Sequence, residues 1–232
     1  MSTRSPTVRR AVGDGIKAMA PLLLGVVPFG LIFGVTAAST AVGGVLGFLT
    51  SPIIFGGAAQ LVAVQLIDEG AAAIVVVTTA LVVNSRHVMY SAAMAEPFRA
   101  FPTPWRWSLP YLLTDQAFVL ASARWATEED PVYRRWFFLS TGLSLWIAWQ
   151  TATAVGVIVG AGIPAWWSLD FAIPLVFLAL LTSSVKGRAG LAAAATAGVV
   201  AVVAAGMPWN VGLTVAAAAG ITAGITVRRW SG

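Results

Sequence analysis

The chain has 232 residues, of which 58% are hydrophobic and only 10% charged, and its mean hydropathy is +0.85. An average soluble domain carries about 25% charged residues, so this composition excludes a disordered chain and points to a lipid bilayer as the solvent. Cysteine is absent and histidine occurs once, at His87, which excludes disulfides, thiolate chemistry and multi-histidine metal centres. The net charge of +5 does not form a nucleic-acid patch, because the basic residues lie in scattered pairs between apolar runs.

Residues 1–15 read as a cytoplasmic tail with Arg4, Arg9 and Arg10 against Asp14. The first apolar run, about 16–40, carries Pro21 and Pro28 and is too long for a signal-peptide core. It reads as a retained span, either broken or merely kinked by its prolines. The second run, about 42–67, is interrupted by Thr50-Ser51-Pro52. Ser51 suits a helix cap and Pro52 a first helical turn, so a break at Ser51-Pro52 would aim helix N-terminal amides at an anion. A packed kink is the alternative. A third run covers about 71–94 and a fourth about 107–125, joined by a proline-rich loop with Arg99 and Arg106. Further runs fall at about 136–162, 169–185, 189–206 and 210–227.

The fold class this predicts is all-α. The chain reads as one polytopic membrane permease domain over 1–232, with about eight transmembrane segments, or seven if the second segment re-enters. With eight spans and both termini cytoplasmic, eleven of the fourteen Lys and Arg fall inside, Arg99 and Arg106 fall outside, and Arg86 lies within a span. Eight tryptophans near span ends, Trp105, Trp107, Trp125, Trp136, Trp166, Trp167, Trp209 and Trp230, fit interfacial anchoring. Gly30 with Gly34, Gly156 with Gly160 and Gly220 with Gly224 have the four-residue spacing that lets membrane helices approach closely. A weak similarity of layout links segments two and three to segments six and seven.

Polar groups at membrane depth are costly and therefore candidate sites. The richest cluster is Asn84-Ser85-Arg86-His87 with Tyr90; span four carries Thr114-Asp115-Gln116. Arg86 lies eight residues before the loop that joins spans three and four, and Asp115 eight residues after it. At 1.5 Å per residue both sit about 12 Å from one surface. The two are expected to face each other, either as a site or as a structural ion pair. His87 and Asp115 are the candidates to carry a proton. Asp14, Asp68 and Glu69 read as solvated end residues, and Asp170 as a cap. No nucleophile, base and orienting group come together, so no enzyme is expected. The competing class is a membrane subunit that scaffolds a partner without binding substrate.

The pieces Pro28-Phe29-Gly30, Phe55-Gly56-Gly57-Ala58-Ala59-Gln60, Asn84-Ser85-Arg86-His87 with Tyr90-Ser91, and Thr114-Asp115 with Phe118 resemble the AzlC family over about residues 11–227. That family comprises large subunits of branched-chain amino acid exporters of prokaryotic plasma membranes. The resemblance implies export of valine, leucine, isoleucine or methionine together with a small AzlD-type subunit, with no metal or cofactor. It singles out Gln60, Asn84, Arg86, His87, Tyr90 and Asp115; the family often has an acid where this chain has Gln116. A zwitterionic substrate would then find its carboxylate partner at Arg86 or the Ser51 helix start. Its ammonium would meet Asp115, with Gln60 or Asn84, and its apolar walls would come from Phe29, Phe33, Phe55 and Phe118.

Overall fold

The computed structural model describes residues 4–161, 185, 187–204 and 211–230, in two compact units, Met1–Asp170 and Phe171–Gly232. Among the described residues every regular element is helical. The first unit holds α1 (Arg4–Ser39), α2 (Gly44–Ile54), α3 (Gly57–Asp68), α4 (Ala73–Asn84), α5 (Arg86–Arg99) and α6 (Thr103–Ser108). A 3-10 turn (Leu109–Leu112), α7 (Asp115–Trp125) and α8 (Pro131–Gly160) complete it. The second unit holds α9 (Gly187–Val203) and α10 (Val211–Trp230).

Among the described residues two helices are long and apolar enough to cross a membrane, Pro6–Ser39 within α1 and Pro131–Gly160. They pack in parallel. Gly15 lies against Phe137 and Ser140, Gly30 against Trp149 and Ala152, Gly34 against Thr153 and Gly156, and Gly160 against Val35 and Ala38. A Cβ on Gly34 would collide with the Thr153 carbonyl oxygen, and one on Gly156 with that of Leu31. The glycine spacing seen in the sequence thus marks a backbone-to-backbone crossing. In the second unit Gly220 and Gly224 serve the same end, meeting Ala193, Ala197 and Ala189 across an antiparallel α9–α10 pair.

The α1–α8 pair provides a ruler for depth. We call the end at which α1 starts the near face. Segment two begins at the far face, where Gly44 meets Ala38 and Val157, and Gly47 meets Ala37. It reaches mid-depth at Gly57, against Phe29 and Trp149. The chain then turns back: at the end of α3, Asp68 Oδ1 accepts the Ala41 N–H at 2.7 Å. At 1.5 Å per residue, Gly57 to Asp68 and Phe29 to Ala41 cover nearly equal distances. Helices α2 and α3 therefore form a hairpin that enters and leaves on the far face.

Helices α4 and α5 are bent by 41° where they meet and together make a third crossing. Asn84 meets Gly56 at mid-depth, and Phe98 joins Trp125 and Phe138 near the near face. Segment four then mirrors segment two. Trp105 packs on Trp136 near the near face, Leu112 meets Gly142 farther in, and α7 returns until Arg124 binds Asp14. Residues 4–68 and 73–125 thus share one plan, a crossing followed by a hairpin, run in opposite directions, as in inverted-topology repeats.

This corrects the sequence reading in several places. Segments two and four do not cross, so eight single-helix spans are not the architecture of the first unit, which has three crossings and two hairpins. Segment two is not broken at Ser51-Pro52; both lie in the last turns of α2, and the break falls at Phe55-Gly56. The loop carrying Arg99 and Arg106 lies on the near face, not opposite it. Of the Lys and Arg between residues 9 and 135, all but Arg86 lie on the near side, whereas Asp68 and Glu69 lie on the far side. Residues from Arg4 onward are already helical, and α1 runs unbroken through Pro21 and Pro28. Asp14 is not merely solvated: its Oδ2 accepts from Tyr133 Oη at 2.6 Å and Arg124 Nη2 at 2.8 Å. Asp68 is solvent-exposed as read, and it also accepts the Ala41 N–H. Trp125 is buried in an aromatic cluster and is not an interfacial anchor. Span 169–185, Trp166, Trp167, Asp170, Trp209 and the layout similarity to segment six lie outside the described residues.

The native chain lacks cysteine, so single cysteines report this topology directly. Ala100→Cys and Ala126→Cys should react with an impermeant maleimide from one side of the membrane, and Ala72→Cys from the other. Labelling of Ala126→Cys from the side that labels Ala72→Cys, opposite to Ala100→Cys, would restore the eight-span reading. The packing is equally testable. Gly156→Ala should lower the melting temperature in detergent by several degrees, since overpacking costs roughly 1–3 kcal/mol and each kcal/mol shifts Tm by about 2–4 °C at this size. Gly13→Ala, where a Cβ meets nothing within 4 Å, should leave it unchanged.

Candidate functional site

Three interruptions of helix meet at one depth. The first is the tip of the α2–α3 hairpin. Phe55 has φ 41° and ψ 49°, left-handed values that a non-glycine residue holds at roughly 1–3 kcal/mol. Its ring stacks on Tyr111 at 5.9 Å, which helps hold it there. Gly56 follows, where a Cβ would lie 2.8 Å from Asn84 Oδ1, so only glycine admits this approach. The broken helix would strand the Gly56 N–H, and Gln60 answers it: Oε1 accepts that amide at 3.3 Å. Gln60 Nε2 donates to Ser51 Oγ at 2.9 Å and Thr50 Oγ1 at 3.1 Å. Gln60 and Ser51 are fully buried. Both were expected at substrate; in the structure their hydrogen bonds hold the hairpin tip.

The second interruption separates α4 from α5 at Ser85. Asn84 ends one helix and Arg86 starts the next. His87 Nδ1 lies 3.0 Å from the Asn84 carbonyl oxygen; in the tautomer protonated there it donates to that carbonyl, and Nε2 remains for a proton or an acceptor role. The third interruption, at Leu113-Thr114, is the tip of the second hairpin. Thr114 Oγ1 caps α7 by accepting the Ala117 N–H at 3.3 Å. Asp115 is the first residue of α7, where the helix dipole favours a negative charge.

The expected pairing is present: Arg86 Nη1 and Asp115 Oδ2 are 2.8 Å apart. Depth counted from their shared loop was right even though the loop lies on the other face, because both residues are measured from it. The pair ties the start of α5 to the start of α7 and leaves capacity unused. Arg86 Nε, Asp115 Oδ1 and Asn84 Oδ1 are buried and have no hydrogen-bond partner within the protein. One strong donor and two acceptors thus remain at one spot. Tyr90 stacks on Phe118 at 4.5 Å and meets His87 edge-on at 5.9 Å. Gln116 is half-buried beside Asp115.

A cavity of about 280 Å³ opens at this junction, lined by Ile54, Phe55, Asn84, His87, Ser91, Pro110, Tyr111 and Leu113. It draws walls from all three interruptions. Of the phenylalanines expected to line it, Phe55 does so. Phe29 and Phe33 pack on Trp149 instead, and Phe118 on Tyr90. Sequence reasoning missed Tyr111, whose hydroxyl donates to the Pro52 carbonyl at 2.7 Å and accepts from Trp146 Nε1 at 2.8 Å. It thereby bolts the two tips to each other and to α8. A signal existed, since the chain has only three tyrosines and Tyr111 carries its hydroxyl into the apolar stretch Leu109-Pro110-Tyr111-Leu112-Leu113. The described residues contain no group of three or more His, Cys, Asp or Glu able to hold a metal.

Fold and site together define a polytopic helical membrane protein with an ion pair at mid-depth and two hairpins of opposite entry. The family model for AzlC protein matches residues 21–163, the stretch that holds every element of the site. The chain belongs to the AzlC family. It is 25% identical to Inner membrane protein YgaZ of Escherichia coli over 205 residues, 81% of this chain and 80% of that one. It is 28% identical to an uncharacterized membrane protein of Archaeoglobus fulgidus over 178 residues, covering 75% and 76% of the two chains. A similar protein of Helicobacter pylori is 28% identical over 181 residues, 76% and 77% of the chains. No solved structure matches.

Arg86 and Asp115 are half-buried side chains joined at 2.8 Å, so removing one leaves the other without its partner. Arg86→Gln and Asp115→Asn should each destabilise the protein more than half as much as the double variant, with a coupling of roughly 0.5–3 kcal/mol in thermal unfolding. Strict additivity would show that the pair does not interact. Gln60→Leu should lower Tm further than a conservative core change does, because a buried group left unpaired costs about 1–3 kcal/mol.

Proposed function

We propose that this protein is the large subunit of an exporter for branched-chain amino acids, valine, leucine and isoleucine, with methionine as a further substrate. It works by alternating access in a prokaryotic plasma membrane, alongside a small AzlD-type membrane subunit. The observation that carries the reading is the Arg86–Asp115 pair with its spare polar atoms; Arg86 adjoins His87 in sequence and Asp115 lies two residues from Leu113, both in the lining of a small cavity with mixed polar and apolar walls. A zwitterion needs a cation for its carboxylate and acceptors for its ammonium. Arg86 supplies the first, and Asp115 Oδ1 with Asn84 Oδ1 the second. Ile54, Phe55, Tyr111 and Leu113 offer the aliphatic side chain an apolar wall. The volume lies near the small end of the roughly 300–1,000 Å³ typical of drug-sized ligands, as a small amino acid requires.

The arrangement also links binding to movement. Arg86 belongs to a crossing segment and Asp115 to the second hairpin. In free protein each neutralises the other. A substrate that takes Arg86 by its carboxylate and Asp115 by its ammonium replaces a direct bond with a bridged one, so the hairpin shifts relative to α5. Protonation of Asp115 dissolves the pair by another route and provides the coupling to protons, with the adjacent His87 as relay. Basic residues concentrate on cytoplasmic sides, so the near face with the N-terminus is cytoplasmic. The end of the α9–α10 pair bearing Arg188, Arg228 and Arg229 is cytoplasmic by the same rule.

In proteoliposomes holding both subunits, counterflow of labelled leucine should fall at least tenfold for Arg86→Ala and for Asp115→Asn. Wild-type rates in both would refute the roles assigned to them. His87→Gln should keep leucine exchange but lose its stimulation by an imposed proton gradient.

A further inference from the structure

Helix α8 carries polar groups that neither the fold nor the proposed site uses. Both amide atoms of Gln150 and the hydroxyl of Thr153 are buried without a hydrogen-bond partner, as is the indole N–H of Trp149. Gln150 is 8% exposed and Thr153 0%. A threonine inside a helix ordinarily satisfies its hydroxyl on the carbonyl three or four residues back, as Thr141 does on Phe137 and Phe138 in this same helix. Thr153 does not. Sequestering such groups costs about 1–3 kcal/mol each, so an apolar pair at these positions would make the more stable bundle.

Their place in the fold gives the cost a purpose. Trp146, Gln150, Thr153 and Val157 recur at helical spacing and form one stripe. At mid-depth Trp146 bonds Tyr111 at the junction of the two hairpins. At the far end Val157 touches Gly44 where α2 enters. Gln150 and Thr153 lie between, and the stripe therefore runs from the depth of the cavity to the far face along the flank of the first hairpin. The groups present include donors (Gln150 Nε2, Thr153 Oγ1, Trp149 Nε1) and acceptors (Gln150 Oε1, Thr153 Oγ1). A cation alone or an anion alone would leave half of them unmet. Water, or a solute bearing both charges, satisfies all of them.

We propose that this stripe lines a water-accessible path for a small zwitterionic solute between the mid-depth cavity and the far face, closed in this conformation by α2. The closure is slight. Gly44 and Gly47 present no side chains, and they rest on Val157, Ala37 and Ala38. Withdrawal of the first hairpin uncovers Gln150 and Thr153. The solute assigned to the path rests on the transport reading above, whereas its accessibility to water does not.

The cysteine-free chain allows the test in intact proteoliposomes of known orientation. Thr153→Cys and Gln150→Cys should react with an impermeant methanethiosulfonate added at the far face at least tenfold faster than the outward-facing Val155→Cys and Ile158→Cys. Saturating leucine should change that rate. Thr153→Cys is nearly isosteric and keeps the test valid if Gln150→Cys fails to fold. Reaction no faster than the outward-facing controls, with and without leucine, would overturn the proposal, as would reaction only from the near face. Labelling in a protein that moves no amino acid would leave the path standing and refute the transport reading; leucine exchange without labelling would do the reverse.

Discussion

A helix that ends inside a bilayer strands its last carbonyls and first amides where no water can reach them. Among the described residues helices end there three times at one depth, at Phe55-Gly56, Ser85 and Leu113-Thr114. Much of the first unit follows from answering that constraint. Gln60 turns its amide back onto Gly56 and Ser51. Thr114 caps α7. The Pro52 carbonyl, freed because the helix stops short of Gly56, is taken by Tyr111. Each answer is local except the last, and the last ties one hairpin to the other. What remains unanswered, on Asn84, Arg86 and Asp115, is where the chemistry of a polar ligand fits.

The inverted plan explains why these groups converge. A crossing followed by a hairpin, repeated in the opposite sense, brings two tips to the middle from opposite faces. The bend in the second crossing falls at the same level because Asn84 packs on Gly56. Helix α8 then closes one side of the assembly. Its parallel register with α1 requires an odd number of crossings between them, and α4–α5 supplies the one. The charge pattern agrees: with both hairpins returning to their own side, the basic residues of α1, α5, α6, α7 and α8, apart from Arg86 at mid-depth, gather on one face.

The all-helical membrane class, the glycine crossings and the Arg86–Asp115 pair were legible in the sequence because each rests on spacing. Apolar run length sets the class, four-residue glycine steps set the contacts, and equal distances from one loop set equal depth. The hairpins were not legible. About 25 apolar residues suffice to cross a membrane or to go halfway and return, and hydropathy does not distinguish the two. The break in segment two was misplaced by four residues for a related reason. Pro52 suits a helix start, yet a helix also carries proline in its last turns, and nothing in a phenylalanine announces left-handed backbone. Gln60 was read as an amide at depth and Ser51 as a helix cap; in the structure the two bond each other. Gln150 and Thr153 passed as ordinary residues of an apolar helix, because an unmet hydrogen bond exists only once the neighbours are placed.

The two hairpins are held with unequal strength. The second is clamped at the near face by Asp14, which accepts from both Arg124 and Tyr133, with Arg124 also lying over the Tyr133 and Phe137 rings. Phe98, Phe101, Trp125 and Phe138 pack beneath it. Hydrogen bonds to charged groups contribute about 1.5–3 kcal/mol each, and aromatic pairs roughly 0.5–1.5 beyond their area. At the far face the first hairpin has one exposed bond from Asp68 to Ala41 and glycine contacts that bury little area. At mid-depth both share the Tyr111 bolt, so the difference lies at the outer ends. The hairpin that separates at lower cost is therefore the first. Its withdrawal would open the far side while the near side stays shut, so the transport cycle proposed above has its easier opening at the far face.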